Sequence, residues 1–161
     1  MKKENRVSEP EYMQQVVTGD ILMDGFIHMT ALGDIVHRDF DDKLDEMGLT
    51  RAKFSILFLL RLQFDSITPT ALSKRMPRAK HTISRAITEL EKDGLVKRQV
   101  NLNNYRSLLI TLTEKGKKYA DRAIDSIRQM SHEVMACLGE QQLREFDKAL
   151  KIVRDYLLEK V

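Results

Sequence analysis

The sequence predicts a mainly α-helical fold with one small β-hairpin, and three observations carry that prediction. Apolar residues near the amino end recur every three or four positions, as on a helix buried along one face. After Gly94 the period changes to two, the signature of paired strands. After Thr113 the helical period returns and runs to the carboxyl end.

Each element has its own local reason. The first helix carries Leu22, Phe26, Met29, Leu32, Val36, Phe40 and Leu44 on one stripe, and is expected from near Pro10 to Tyr12 as far as Gly48, a residue type that ends helices. Such a helix would be on the order of 50 Å long, more than a small domain needs, so part of it should pack on something outside its own core. Thr50 fits the N-cap of a second helix through Phe54, Leu57, Phe58, Leu60 and Leu62, whose wide apolar face should be buried. Thr68 and Pro69 open a short helix with Leu72 and Met76 inside, which Pro77 ends. A further helix spans about Ala79 to Asp93, burying Ile83, Ala86, Ile87 and Leu90, and Gly94 closes it.

Two strands follow, Leu95 to Val100 and Leu108 to Leu112. Between them lies Asn101 to Arg106, where Asn103 and Asn104 tolerate the left-handed conformations of a hairpin tip. Thr113 caps a helix reaching roughly Cys137, Gly139 breaks it, and a last helix carries Leu143, Phe146, Leu150, Val153 and Leu157.

Composition narrows the class of function. A length of 161 residues fits one domain, residues 1–161, with a core of useful size. The richest apolar run, Phe54 to Leu60, falls short of the ~20 residues of a membrane span. The polar start, Met1 to Asn5, leads into no apolar signal core, so the expectation is a cytoplasmic chain with no membrane partner. No glycine-rich phosphate loop, nucleophile with a base, or catalytic carboxylate pair emerges, so no enzyme is expected. Asp41, Asp42, Asp45 and Glu46 read as a solvated acidic helix end. His28, His37, His81 and His132 lack metal-ligand spacing, so neither metal nor cofactor is expected. Cys137 reads as a buried, inert thiol rather than a peroxide sensor. Met23, Met29, Phe54, Phe58, Met130 and Met135 read as core, and Met-rich surfaces also suit a pocket for an apolar or aromatic ligand.

The formal net charge of +3 conceals a strong asymmetry. From Thr68 to Lys118 twelve Lys and Arg face four Asp and Glu, whereas the rest of the chain holds fifteen against twenty. A cationic middle between acidic flanks points to a polyanion-binding surface. Helix, short helix, tight turn, second helix and two-stranded hairpin is a winged helix-turn-helix order, and a helix of about four turns can enter the ~12 Å major groove of DNA. Opposite Ile83, Ile87 and Leu90 this helix carries Lys80, His81, Thr82, Ser84 and Arg85, all hydrogen-bonding side chains. Arg85 is the prime candidate for a base or phosphate contact, against the plain alternative of pairing with Glu89 one turn on. Lys74 and Arg75 suit phosphate, against the plain alternative of solvated charges, and Arg78 is a further DNA-binding candidate. At the hairpin tip Asn104 and Arg106 could enter the minor groove or grip the backbone, while Tyr105 is expected to cover the hairpin's apolar side.

The run LSKRMPRAKHTISRAITELEKDGLVKR from Leu72 to Arg98, followed by YRSLLITLTEKG from Tyr105 to Gly116, resembles the MarR family (multiple antibiotic resistance regulators) of winged helix-turn-helix transcription regulators. The family's wing commonly reads Asp, any residue, Arg; here it reads Asn104, Tyr105, Arg106. The resemblance implies a winged helix-turn-helix DNA-binding lobe over residues 50–112, flanked by helical dimerisation elements at 11–47 and 113–161. It further implies a homodimeric regulator, a repressor that binds a pseudo-palindromic duplex operator and leaves it when a small ligand binds. The competing expectation, from another class, is a winged-helix module that docks an acidic protein within a larger assembly.

Overall fold

In the computed structural model the described residues are 18–76, 78–101, 104, 105 and 107–160. Among these residues six helices and two strands follow in the order α1 (Ile21–Asp45), α2 (Arg51–Leu62), α3 (Pro69–Arg75), α4 (Lys80–Lys92), β1 (Val96–Val100), β2 (Leu108–Leu112), α5 (Glu114–Met135) and α6 (Glu140–Glu159). The mainly helical chain with a two-stranded antiparallel hairpin is the architecture that the periodicity predicts.

Local chemistry sets most boundaries. The hydroxyls of Thr50, Thr68 and Thr113 each accept a hydrogen bond from a first-turn backbone N–H, at Lys53, Ala71 and Gly116 respectively, satisfying a donor that the helix cannot. Gly94 adopts φ 71° just after α4, the left-handed conformation that lets the chain reverse into β1. α3 ends at Arg75 with Met76 as its cap. Pro77, expected to end it, and the hairpin-tip residue Asn103 lie outside the described residues.

The start of α1 differs from expectation. The described helix begins at Ile21, because Asp20 is extended and its carboxylate accepts from the N–H groups of Leu22 and Met23. Thr18 tightens this cap by donating to Asp24 through both its backbone N–H and its hydroxyl. A stop signal of this kind outweighs apolar periodicity, which carries no information about where a helix begins. The expected residues 11–17 lie outside the described part of the chain.

One core fills the space between α2, α3, α4, the hairpin and the first half of α5. Ile56, Leu57, Leu72, Ile83, Leu90, Ile110 and Ala120 are completely buried in it. Leu44 and Leu49 anchor the end of α1 to the core, and Phe40 packs edge-on against Phe54 with ring centroids 5.6 Å apart. The Tyr119 hydroxyl donates to the Met47 carbonyl, tying α5 to the turn between α1 and α2. In the hairpin Val96 opposes Leu112 and Val100 opposes Leu108, while Ile67 forms a bridge to Ile110 that fastens the loop before α3 to β2.

The two terminal helices depart from this pattern. Leu22 and Phe26 of α1 are 81% and 63% exposed, Met23 and Met29 are exposed rather than core, and α6 buries none of its residues. Leu62, expected on the buried face of α2, is exposed at its last position. Cys137 is also exposed, contrary to the expectation of a buried thiol, because α5 has left the core before it ends at Met135. Its sulfhydryl donates to the Val134 carbonyl at 3.4 Å.

Candidate nucleic-acid interface

The expected recognition helix is α4, and its two faces separate cleanly. Ile83, Ala86, Ile87 and Leu90 are buried; Lys80, His81, Ser84 and Arg85 are exposed. Thr82 is half-buried, turned toward a cleft of about 550 Å³ between α4, the end of α1 and the start of α2. That cleft is lined by Asp41, Arg51, Arg78, Thr82, Arg85 and Glu89 over a floor of Leu49, Ala52 and Ala86.

Arg85 combines both expected features. Its side chain is 84% exposed, and its Nε donates to Glu89 Oε1 at 2.9 Å. Glu89 Oε2 in turn lies 3.2 Å from the ammonium of Lys53 on α2, a side chain only 12% exposed, which also reaches Asp93 at 3.4 Å. The hydrogen bonds from Arg85 and Lys53 hold the Glu89 carboxyl below the usual range of a glutamate. The carboxylate is therefore charged at neutral pH.

The remaining cations are deployed differently. Arg75 lies over the Phe64 ring, 4.8 Å from its centroid, and donates to the Ala71 carbonyl at 3.3 Å, so its guanidinium is held against α3. Lys74, Arg78 and Lys80 are exposed in and after α3, on the approach to α4. At the hairpin tip Asn104 and Tyr105 are exposed. Tyr105 therefore does not cover the hairpin; Ile110 and Leu112 take that role, as the alternation of β2 puts them inward. The backbone N–H of Asn104 donates to the Asn101 carbonyl and the Asn104 carbonyl accepts from Ser107, closing the turn. Arg106, expected to complete the wing, lies outside the described residues.

Several structural partners were not anticipated. Arg98 of β1 bonds Glu91 at 2.8 Å and the Thr88 hydroxyl at 3.0 Å, fastening the wing to the back of α4. Arg51 makes a two-pronged ion pair with Asp41, both bonds at 2.5 Å, so Asp41 is not part of a merely solvated acidic end. That contact, first among the causes, holds the Asp41 carboxyl below the usual aspartate range. Lys53, Arg98 and Arg51 meet partners across elements, and residue spacing along one helix gives no signal for such pairs.

A MarR-family model matches residues 49–108, from the start of α2 into β2. The HTH-type transcriptional repressor Rv2887 of Mycobacterium tuberculosis is 28% identical over 120 residues, 74% of this chain and 86% of that protein. The HTH-type transcriptional repressor YetL of Bacillus subtilis is 32% identical over 107 residues, 64% of this chain and 62% of its own. The reduced form of MarR from E. coli matches in structure with a TM-score of 0.63 at 27% identity, over 76% of this chain and 93% of that one. The ligand-free organohalide-sensing regulator RdhR-CbdbA1625 shares the fold with a TM-score of 0.72 at 23% identity, over 96% and 90% of the two chains. Residues 49–108 thus form a MarR-family domain, in a chain that is similar to known transcriptional repressors and has the winged helix-turn-helix architecture of DNA-binding transcription regulators.

Proposed function

We propose that the protein is a homodimeric, sequence-specific repressor that binds a pseudo-palindromic duplex operator and is released by a small apolar or aromatic ligand. The observation that carries this reading is the outer face of α4, where Lys80, His81, Ser84 and Arg85 are exposed opposite a fully packed apolar face. At 13 residues the helix is ~20 Å long, a fit for the major groove. In this reading Arg85 contacts a base edge, and Lys80, His81, Thr82 and Ser84 contact bases or phosphates from the same turns. Lys74, Arg75 and Arg78 meet phosphate, with Arg75 leaving the Phe64 ring to do so, and Asn104 and Arg106 bring the wing to the duplex.

Residues 50–112 form the DNA-binding lobe in this proposal, and the segments 11–47 and 113–161 form the dimer. Exposed Leu22, Phe26 and Leu32 on α1 and Leu150, Val153 and Leu157 on α6 support it, since apolar surface of this extent marks an interaction site. Two-fold symmetry then sets the half-sites about one helical turn, ~34 to 36 Å, apart. Repression is supported by relatives described as repressors, and a ligand by the solved 2,4-dichlorophenol-bound form of RdhR-CbdbA1625. A ligand acts only through a preference for a conformer whose recognition helices are wrongly spaced. A cytoplasmic location accords with this role, and no helix among the described residues is long and apolar enough to cross a membrane.

The test is enrichment of duplexes from a randomised pool, with affinities then measured across salt concentrations. The expected outcome is an inverted repeat whose affinity falls steeply with salt through counterion release. Failure to enrich any motif, together with a tight acidic protein partner, would instead favour a protein-docking module.

A further inference from the structure

We propose that Glu89 is a positioning residue for DNA reading, holding Arg85 by its Nε so that the two terminal nitrogens of the guanidinium face the duplex. The inference rests on the reading of Arg85 as a base contact and explains why that contact would be specific. Pairing with Glu89 and contact with DNA, which look like rival fates for Arg85, are in this geometry parts of one arrangement. An arginine has five donors in a rigid plane. Glu89 takes the inner one, at Nε, and leaves the Nη1 and Nη2 edge, the pair that meets guanine O6 and N7 together.

An exposed ion pair one helical turn apart is too weak to order a long side chain by itself. Here the carboxylate is itself tethered, because its second oxygen meets Lys53, which is nearly buried on α2 and is also drawn to Asp93 at the end of α4. The contacts thus run from Lys53, nearly buried between the exposed Asp93 and Glu89, out to the exposed tip of one arginine. The same two hydrogen bonds that lower the pKa of Glu89 keep it charged throughout the range in which DNA binding is measured. A fixed negative charge beside the duplex opposes phosphate binding in general, so the arrangement favours discrimination at the expense of affinity for random sequence.

The experiment measures dissociation constants for the inverted-repeat duplex recovered by selection and for a random-sequence duplex of equal length. Wild type, Arg85→Ala, Glu89→Gln and the double variant are compared, each with a thermal melt. Glu89→Gln should lower the specific-to-random affinity ratio by about threefold or more, with random-duplex affinity unchanged or raised. In the Arg85→Ala background the same substitution should leave the ratio unaltered, since its effect passes through the arginine. An unchanged ratio in the single variant, an equal fall in both backgrounds, or equal losses on both duplexes overturns the proposal. Should Glu89→Gln melt below the working temperature, Lys53→Met frees the carboxylate by another route and must also lower the ratio. If Arg85→Ala itself leaves the ratio at the wild-type value, the assignment of Arg85 as a base contact falls first, and the role of Glu89 falls with it.

Discussion

Gly116, in the first turn of α5, is held by a close approach. A Cβ there would stand 1.8 Å from the Leu95 carbonyl oxygen and 2.8 Å from its carbon, both rigid backbone. Gly116→Ala should therefore destabilise the fold by about 1 to 3 kcal/mol, as overpacking does, visible as a lower urea midpoint; an unchanged midpoint would refute the close contact. Asp41 makes a prediction in pH. Its pairing with Arg51 lowers the carboxyl's pKa in the folded state, so the stabilisation is present above the unfolded value and is lost as the pH falls through the folded one, below about 4. Asp41→Asn should flatten the fall in melting temperature between neutral pH and pH ~3, and parallel acid limbs for the two proteins would count against the pair. The pairing of Arg85 with Glu89 was legible because i and i+4 always adjoin on a helix. Lys53 was not, since it meets Glu89 only after α2 and α4 have packed.

At the scale of elements the threonine caps of α2, α3 and α5 were the most legible feature, since a cap is a contract between residues two or three apart. Thr113 does double duty: its oxygen accepts from Gly116 N–H at 2.9 Å and its hydroxyl donates to the Gly94 carbonyl at 2.7 Å, joining α5 to the turn after α4. Thr113→Ala should cost about 1 kcal/mol in chemical denaturation, and Thr113→Ser should recover most of it. The wing depends on a contact of another kind. Arg98 bridges β1 to Glu91 and Thr88 on α4 from an exposed strand position. Arg98→Ala should speed amide exchange in β1 and β2 while changing global stability by less than about 1 kcal/mol, because the pair is partly solvated. Exchange as slow as in the wild type would show that backbone pairing alone holds the hairpin. The amino-terminal limit of α1 escaped the sequence reading because the stripe of apolar residues continues smoothly past a strong local cap at Asp20.

The whole molecule is a well-packed lobe with two long helices that leave apolar side chains uncovered. If α1 and α6 join two copies, Val153→Asp together with Leu157→Asp should shift the protein from dimer to monomer in sedimentation. The same change should weaken operator binding far more than binding to one half-site, since two linked lobes bind with high effective concentration. A dimer that survives both substitutions would move the interface elsewhere. By itself the sequence determined the element order, the threonine caps of α2, α3 and α5, the buried face of α4 and the cationic middle of the chain. These depend on neighbours within a few positions, where helix and strand geometry dictate which side chains share a face. The tertiary structure alone decided that Arg75 lies on Phe64, that Cys137, Tyr105 and the first turns of α1 are exposed, and that Lys53 anchors the carboxylate beside Arg85. Such contacts join residues whose separation along the chain carries no geometric information until packing of the core brings their elements together.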